Sequence, residues 1–406
     1  MSERTATRIG ATAATVAVAV VAWAVCAYLL ARTSVPKLHL SGLDESPYFS
    51  ASLLSRAQRY TRGQDALWLL STVAALVALV VLVRVLPRSV RGMGLGRIGS
   101  SVIVSMVLLV TLWFVGLPFS LANLWWQHHY GLGPFDAGAW LASQWATLPA
   151  EAISVVLAVM LLVGFAGRFP RTWWIYSGLS IVAISALFAF LGGYFAAVGT
   201  HRLRDPMLRA DVRRLEAIEH VTGTPVRVEK VSSWTKQANA FTSGFGPSRR
   251  VVVWDTLLDG RFTHGEEDVV IAHELGHVRS NHIVKAIGWT ALVVFPTLFV
   301  VAFLTRRRGG VANPANVPLA FLVLAVLGLL TAPVQNAVSR RYEAEADWRA
   351  LNATRDPASA QRLFQRFAKT SLEQPDPPVW DYIMLENHPT LMQRIAMTQA
   401  WAGRHP

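Results

Sequence analysis

Seven stretches of this sequence, at about 10–31, 66–86, 98–124, 148–167, 173–198, 286–305 and 317–338, are long and almost free of charge. A helix rises about 1.5 Å per residue, so about 20 apolar residues cross the roughly 30 Å hydrocarbon layer of a bilayer. Inside that layer only the chain itself can satisfy backbone N–H and C=O groups, so runs of this kind are helical. The sequence predicts a mainly α, multi-spanning membrane protein with about seven transmembrane helices. Hydrophobic residues make up 53% of the chain and charged ones 16%, which is too apolar for an ordinary soluble domain. The first run follows Arg4 and Arg8, exceeds the apolar core of a signal peptide and lacks a small-residue cleavage site, so it is expected to be a span. A transporter would place charged or helix-breaking residues mid-span in internally similar halves, and no such symmetry is visible. The formal net charge is +13. Most arginines flank the apolar runs, so anionic lipid headgroups, not nucleic acid, are their expected partners. Cys26 is the single cysteine, which leaves no disulfide framework and no cysteine metal cluster.

The segments between the runs divide the chain into four parts: a five-span region over 1–200, a soluble part over 201–284, a two-span hairpin over 285–339 and a polar, helical end over 340–406. Residues 32–64 are polar and basic, with Arg56, Arg59 and Arg62 spaced by threes on a solvated or lipid-facing helix face. Residues 125–146 carry Trp125, Trp126, Trp140 and Trp145 without Lys or Arg, and are expected to form an interfacial loop or short helix. In the soluble part, Asp205-Pro206 opens an amphipathic helix with Leu208, Val212, Leu215 and Ile218 on one face. Strands are expected at Pro225 to Val231, from Asn239 into the glycine turn at 244–246, and at Val251 to Trp254. This makes a small α+β unit.

The chemistry lies in His273-Glu274-Leu275-Gly276-His277. Histidines four apart on a helix project from one side, as neutral imidazoles must do to converge on a tetrahedral zinc ion. Glu274 follows the first histidine about 100° around the helix. There it can reach a water at the metal and act as a base. Thr263 and Glu266 have capping-box spacing and mark the start of this helix. Ile271, Leu275 and Val278 form its core-facing side. A third ligand is required. The glycine and histidine that would supply it downstream in a metzincin are replaced by Ser280 and Ile283. The best source is Glu343-Ala344-Glu345-Ala346-Asp347, just past the last run. Glu343 and Asp347, four apart, suit a ligand and a carboxylate that orients a zinc histidine; Glu345 is the second choice for the ligand.

These motifs resemble the integral-membrane zinc proteases of the type I prenyl-protein (C-a-a-X) endopeptidase family, which are related to the bacterial membrane heat-shock zinc proteases. The resemblance is carried by Asn239-Ala240-Phe241 with Gly244-Phe245-Gly246, by Asp255-Thr256-Leu257-Leu258, and by His273 to His282. It continues through Ser339 to Asp347 and His388-Pro389 with Arg394-Ile395. Leu117 to Leu121 and Tyr130-Gly131 extend it into the earlier membrane half. The resemblance implies seven spans around a large chamber, capped by a small α+β zinc-metalloprotease domain, with one zinc per chain. It implies Glu343 as third ligand, Glu274 as base, and Asn239 and Ala240 on a sheet edge that accepts substrate as an added strand. It implies that His388 stabilises the oxyanion and that Arg394 binds substrate or an acidic partner. His282, five residues past His277, is read as structural and facing away from the ligand side. The substrates implied are membrane-associated or lipidated proteins. A quality-control scaffold that keeps the zinc site with little catalysis is the alternative, and the intact Glu274 argues against it. Basic residues near the span ends are almost evenly split between the two sides. The cytoplasmic placement of the zinc domain, in the cell membrane if the source is bacterial, therefore rests on the resemblance.

Overall fold

The computed structural model describes residues 3–90 and 93–405, and of residues 3–16 the backbone alone. Arg91 and Gly92, and the side chains of Arg4 and Arg8, lie outside the described residues. The first helices are α1 (Glu3–Ala31), α2 (Ala51–Val90), α3 (Gly96–His129), α4 (Ala137–Arg168) and α5 (Trp173–Phe195). There follow β1 (His201–Arg202), α6 (Pro206–Ile218), β2 (Val226–Glu229), β3 (Ala240–Ser243), β4 (Arg250–Trp254) and α7 (His264–Arg279). The chain closes with α8 (His282–Arg306), α9 (Val317–Thr354), α10 (Pro357–Thr370), α11 (Val379–Met384) and α12 (Leu391–Ala402). Among the described residues six helices, α2 to α5, α8 and α9, are long and apolar enough to cross a membrane. The seventh expected span falls on α1, whose described side chains form a shorter apolar stretch from Ala17 to Ala31.

Two helices outrun their apolar cores. The segment expected to be polar before residue 65 is helical from Ala51, and α3 continues without a break to His129 where an interfacial loop or separate short helix was expected. The two extensions hold each other. Trp126 Nε1 donates to the Tyr60 carbonyl at 3.0 Å, Arg56 reaches the Tyr130 carbonyl at 2.7 Å, and Tyr60 meets the edge of Tyr130. A methyl group at Gly63 would run into the Trp126 indole. Tertiary packing, not local hydropathy, sets these helix lengths. Asp136 then caps α4 by accepting from Ala139 N–H.

The sheet has the order β1-β2-β4-β3. β2 runs parallel to β4, and β3 pairs with β4 antiparallel, Ala240 opposite Val253 and Ser243 opposite Arg250. Val251, Val252 and Val253 are fully buried, because both faces of central β4 are covered. β3 is an edge strand. The two-residue β1 lies too close to the last span for any alternation to announce it.

The main core lies outside the spans. Leu215, Val253, Ile271, Leu275, Leu351, Leu363 and Ile395 join α6, the sheet, α7, the far end of α9, α10 and α12. Helix α7 begins as its capping sequence predicts, with the Glu266 carboxylate accepting from Thr263 N–H at 2.7 Å. The same carboxylate is fully buried and takes the Arg366 fork from α10 at 3.1 Å. Glu266→Ala removes a cap and half of an ion pair together. We expect a loss of about 2 kcal/mol, less than for a fully buried pair because Arg366 is partly exposed; thermal unfolding of the detergent-solubilised protein measures it. At Gly276, α7 and α9 touch: a Cβ there would sit 3.3 Å from the Ala346 Cα and 3.2 Å from the Arg349 Cβ. The glycine of the histidine motif lets the two helices come together at the site.

Candidate metal centre

Helix α7 supplies His273, Glu274 and His277, and α9 supplies Glu343. The two histidine Nε2 atoms lie 3.0 Å apart. Glu343 Oε2 lies 3.2 Å from His273 Nε2 and 3.5 Å from His277 Nε2. Two metal bonds of about 2.05 Å meeting at a tetrahedral angle put their ligand atoms about 3.3 Å apart. The three separations bracket that value. Glu343 Oε2 is also buried without an aligned hydrogen-bond donor among the described residues, an expensive state unless a cation sits there. Burial opposes protonation of His273, but the carboxylates of Asp347 and Glu343 outweigh it and hold the imidazole up at about 10. The centre is thus arranged to hold a positive charge. Two imidazoles and a carboxylate fit zinc, with a fourth position left for chemistry. Glu345, the second choice, stands 3.1 Å from His282 Nε2 and not at this centre.

Each histidine is held from behind. His273 Nδ1 lies 2.8 Å from Asp347 Oδ1, so a proton there leaves the Nε2 lone pair facing the ligand cluster. Asp347 in turn receives Nε and Nη2 of Arg394 at 2.8 and 2.7 Å. This reassigns Arg394: of the two roles expected for it, substrate or an acidic partner, the buried guanidinium is committed to the acidic partner.

His277 has a support that the sequence did not reveal. Its Nδ1 lies 2.8 Å from His282 Nδ1, and His282 Nε2 lies 3.1 Å from Glu345 Oε2. His282 does not face away. Asn281, with φ of 53°, breaks the helix in the left-handed region and turns His282 back. Glu345 Oε1 accepts from Ser34 N–H and Oγ–H at 2.7 and 2.6 Å, which fastens the segment after α1 to this relay. His282 is thus a positioning residue for His277. We expect His282→Ala to weaken metal binding about 10- to 100-fold while the fold persists; competition with a chromogenic chelator reads it.

Glu274 is buried beside the ligands. Thr242 Oγ1, on β3, lies 2.9 Å from both Glu274 Oε2 and the Glu274 carbonyl. Thr242 was not anticipated; its cue was the strand beginning at Asn239, whose alternate residues must meet the neighbouring helix. His388 lies in the turn before α12 with Nε2 3.2 Å from Glu343 Oε2 and Nδ1 2.6 Å from Asn387 Oδ1. Burial opposes its protonated form, and Glu343 outweighs this and raises its pKa. Asn239, Ala240, His273, Glu274, His388 and Arg394 line one cavity of about 90 Å³. A second, of about 210 Å³, opens beyond Thr242, Phe245 and His277. The two flank β3.

An α+β unit that gathers three candidate metal ligands from two helices, one of them continuous with a span, is suited to a membrane metallopeptidase. Sequence comparison gives the same class more closely: the profile of peptidase family M48 matches residues 202–402, and the chain belongs to that family. It is similar to the uncharacterized metalloprotease YhfN of Bacillus subtilis, 27% identical over 283 residues that cover 66% of this chain and 65% of that protein. It is also similar to a CAAX prenyl protease 1 homolog of Oryza sativa, 24% identical over 60% of this chain and 59% of that protein. The chain thus spans less than two thirds of the length of either relative. The crystal structure of S. mikatae Ste24p superposes with a TM-score of 0.75 at 17% identity, over 94% of this chain and 96% of that one, and shares its fold.

Proposed function

We propose that this chain is a zinc endopeptidase that cleaves peptide bonds of membrane-associated or lipidated proteins. The observation that carries the reading is the convergence of His273, His277 and Glu343 beside a buried Glu274. Bound by those three side chains, one zinc ion per chain would supply Lewis acidity toward a carbonyl and a water. Glu274 takes the proton of the attacking water and delivers it to the leaving amine. Thr242 holds the Glu274 carboxylate in place. His388 donates to the oxyanion as it develops. Substrate joins the free edge of β3 at Asn239 and Ala240, so backbone pairing sets the register of the scissile bond. The cavities at either end of that edge receive its side chains. The spans bury only 6–22% of their apolar windows within the protein, so most of that surface is left to face lipid or a space between the helices, and the chamber itself is proposed from the resemblance. The boundaries expected at 284 and 339 fall inside α8 and α9, so the proposed zinc domain is joined to the membrane parts by continuous helices.

The test is cleavage of matched peptides, one lipidated and one not, by the zinc-loaded protein in vesicles. Cleavage of the lipidated peptide at a higher kcat/KM is expected; equal rates would remove lipid from the substrate definition. His388→Ala should keep zinc and lower kcat about 100-fold with KM little changed. A change confined to KM would make His388 a ground-state binding residue. The zinc domain is proposed to face the cytoplasm. A reporter active only in that compartment should give signal when fused to Pro406, and signal from a Met1 fusion alone would invert the orientation.

A further inference from the structure

Five arginines, Arg202, Arg209, Arg213, Arg227 and Arg250, line one concavity of about 560 Å³ formed by α6, β1, β2 and the start of β4. None of them has an ion-pair partner among the described residues, and the lining holds a single carboxylate, Glu216. Glu216 is itself buried and accepts from Gly223 N–H. Like charges are gathered here with little to offset them. The Arg250 Nε is buried and has no hydrogen-bond acceptor among the described residues.

Two of the five touch the end of a span. Arg250 stacks over the ring of Tyr194, in the last turn of α5, at 4.9 Å. Arg227 donates through Nε and Nη2 to Thr200, just beyond that helix. Next to these contacts in the chain, Phe195 follows Tyr194, Val198 lies two residues before Thr200 and Met207 two before Arg209, and they are 63, 78 and 65% exposed. Exposed apolar side chains beside unpaired arginines, at the end of a membrane helix, match the two halves of an anionic phospholipid. A nucleic acid would leave the apolar half without a partner. We propose that this concavity binds the phosphodiester headgroup of an anionic phospholipid, with Phe195, Val198 and Met207 against its acyl chains. Ser243 and Arg250 are register partners, so the backbone of Arg250, at one end of this lining, runs one strand spacing, ~4.8 Å, from β3.

The experiment titrates dioleoylphosphatidylglycerol, dioleoylphosphatidylcholine and inorganic phosphate separately into the delipidated full chain in neutral detergent, with adducts counted by native mass spectrometry. Phosphatidylglycerol should bind at least tenfold more tightly than phosphatidylcholine, and more weakly as NaCl rises from 50 to 500 mM. Each basic residue near an anionic headgroup contributes about fivefold. Arg209→Gln with Arg213→Gln should therefore weaken binding about 25-fold, while Arg306→Gln with Arg307→Gln, an equal charge loss at another membrane edge, should change it less than threefold. Arg250→Gln, a separate single variant, covers the case in which the double variant fails to fold. Equal losses in the two double variants, equal binding of the two lipids, or an absence of salt dependence would overturn the proposal. Displacement of phosphatidylglycerol by millimolar phosphate would make this a soluble-anion site and overturn the lipid assignment.

Discussion

Replacing Glu274 with glutamine is expected to leave metal content and thermal stability unchanged while peptide cleavage falls by at least about a thousandfold. Glutamine preserves the shape of the side chain and can still accept the Thr242 hydroxyl 2.9 Å away. It cannot take a proton from water at neutral pH, and general-base catalysis is worth about 10²–10⁴ in rate. No ligand is lost, because the carboxylate lies outside the group of His273, His277 and Glu343. The measurement is kcat on a fluorogenic peptide, with zinc counted on the same sample. Residual turnover above about a tenth of wild type with zinc bound would reject Glu274 as the base.

Glu343→Ala is expected to empty the centre. It removes the anionic member of the proposed ligand set and leaves two imidazoles, which form an incomplete site. It also removes the acceptor that His273 and His388 face at 3.2 Å. Metal content after dialysis should drop from about one ion per chain to near zero. Glu345→Ala should retain the ion with weakened affinity, since Glu345 acts through His282. A reversal of these two outcomes would transfer the ligand role to Glu345.

The sequence carried the histidine pair, the capping of α7 and the Glu343/Asp347 spacing openly, because each is a local pattern on one helix. What it concealed is long-range or depends on a break. Treating residues 264–282 as one continuous helix places His282 on the wrong side. Asn281 alone moves it, and the cue was an Asn, which tolerates positive φ, just after the motif. Thr242 meets Glu274 across a sheet-to-helix contact that no period encodes. The sequence leaves Arg394 two roles, substrate or an acidic partner, and only the position of Asp347 in space favours the second. The lengths of α2 and α3 follow from an indole seated against Gly63, which hydropathy cannot register.

Helix α9 is a single rod from Val317 in the span to Thr354 in the soluble core. At 1.5 Å per residue, Glu343 stands about 40 Å along it from Val317. A tilt of about 10° over that lever, within the range by which spans adapt to bilayer thickness, swings its end by about 7 Å if the base is held. Metal bonds tolerate about 0.2 Å. The close crossing of α7 and α9 at Gly276 holds the far end of the rod, and Pro333, inside the helix between Val317 and Glu343, is the position where a helix of this kind bends most readily. The proposed ligand Glu343 is carried on the same helix as a span, so a tilt of that span is transmitted toward the proposed metal site.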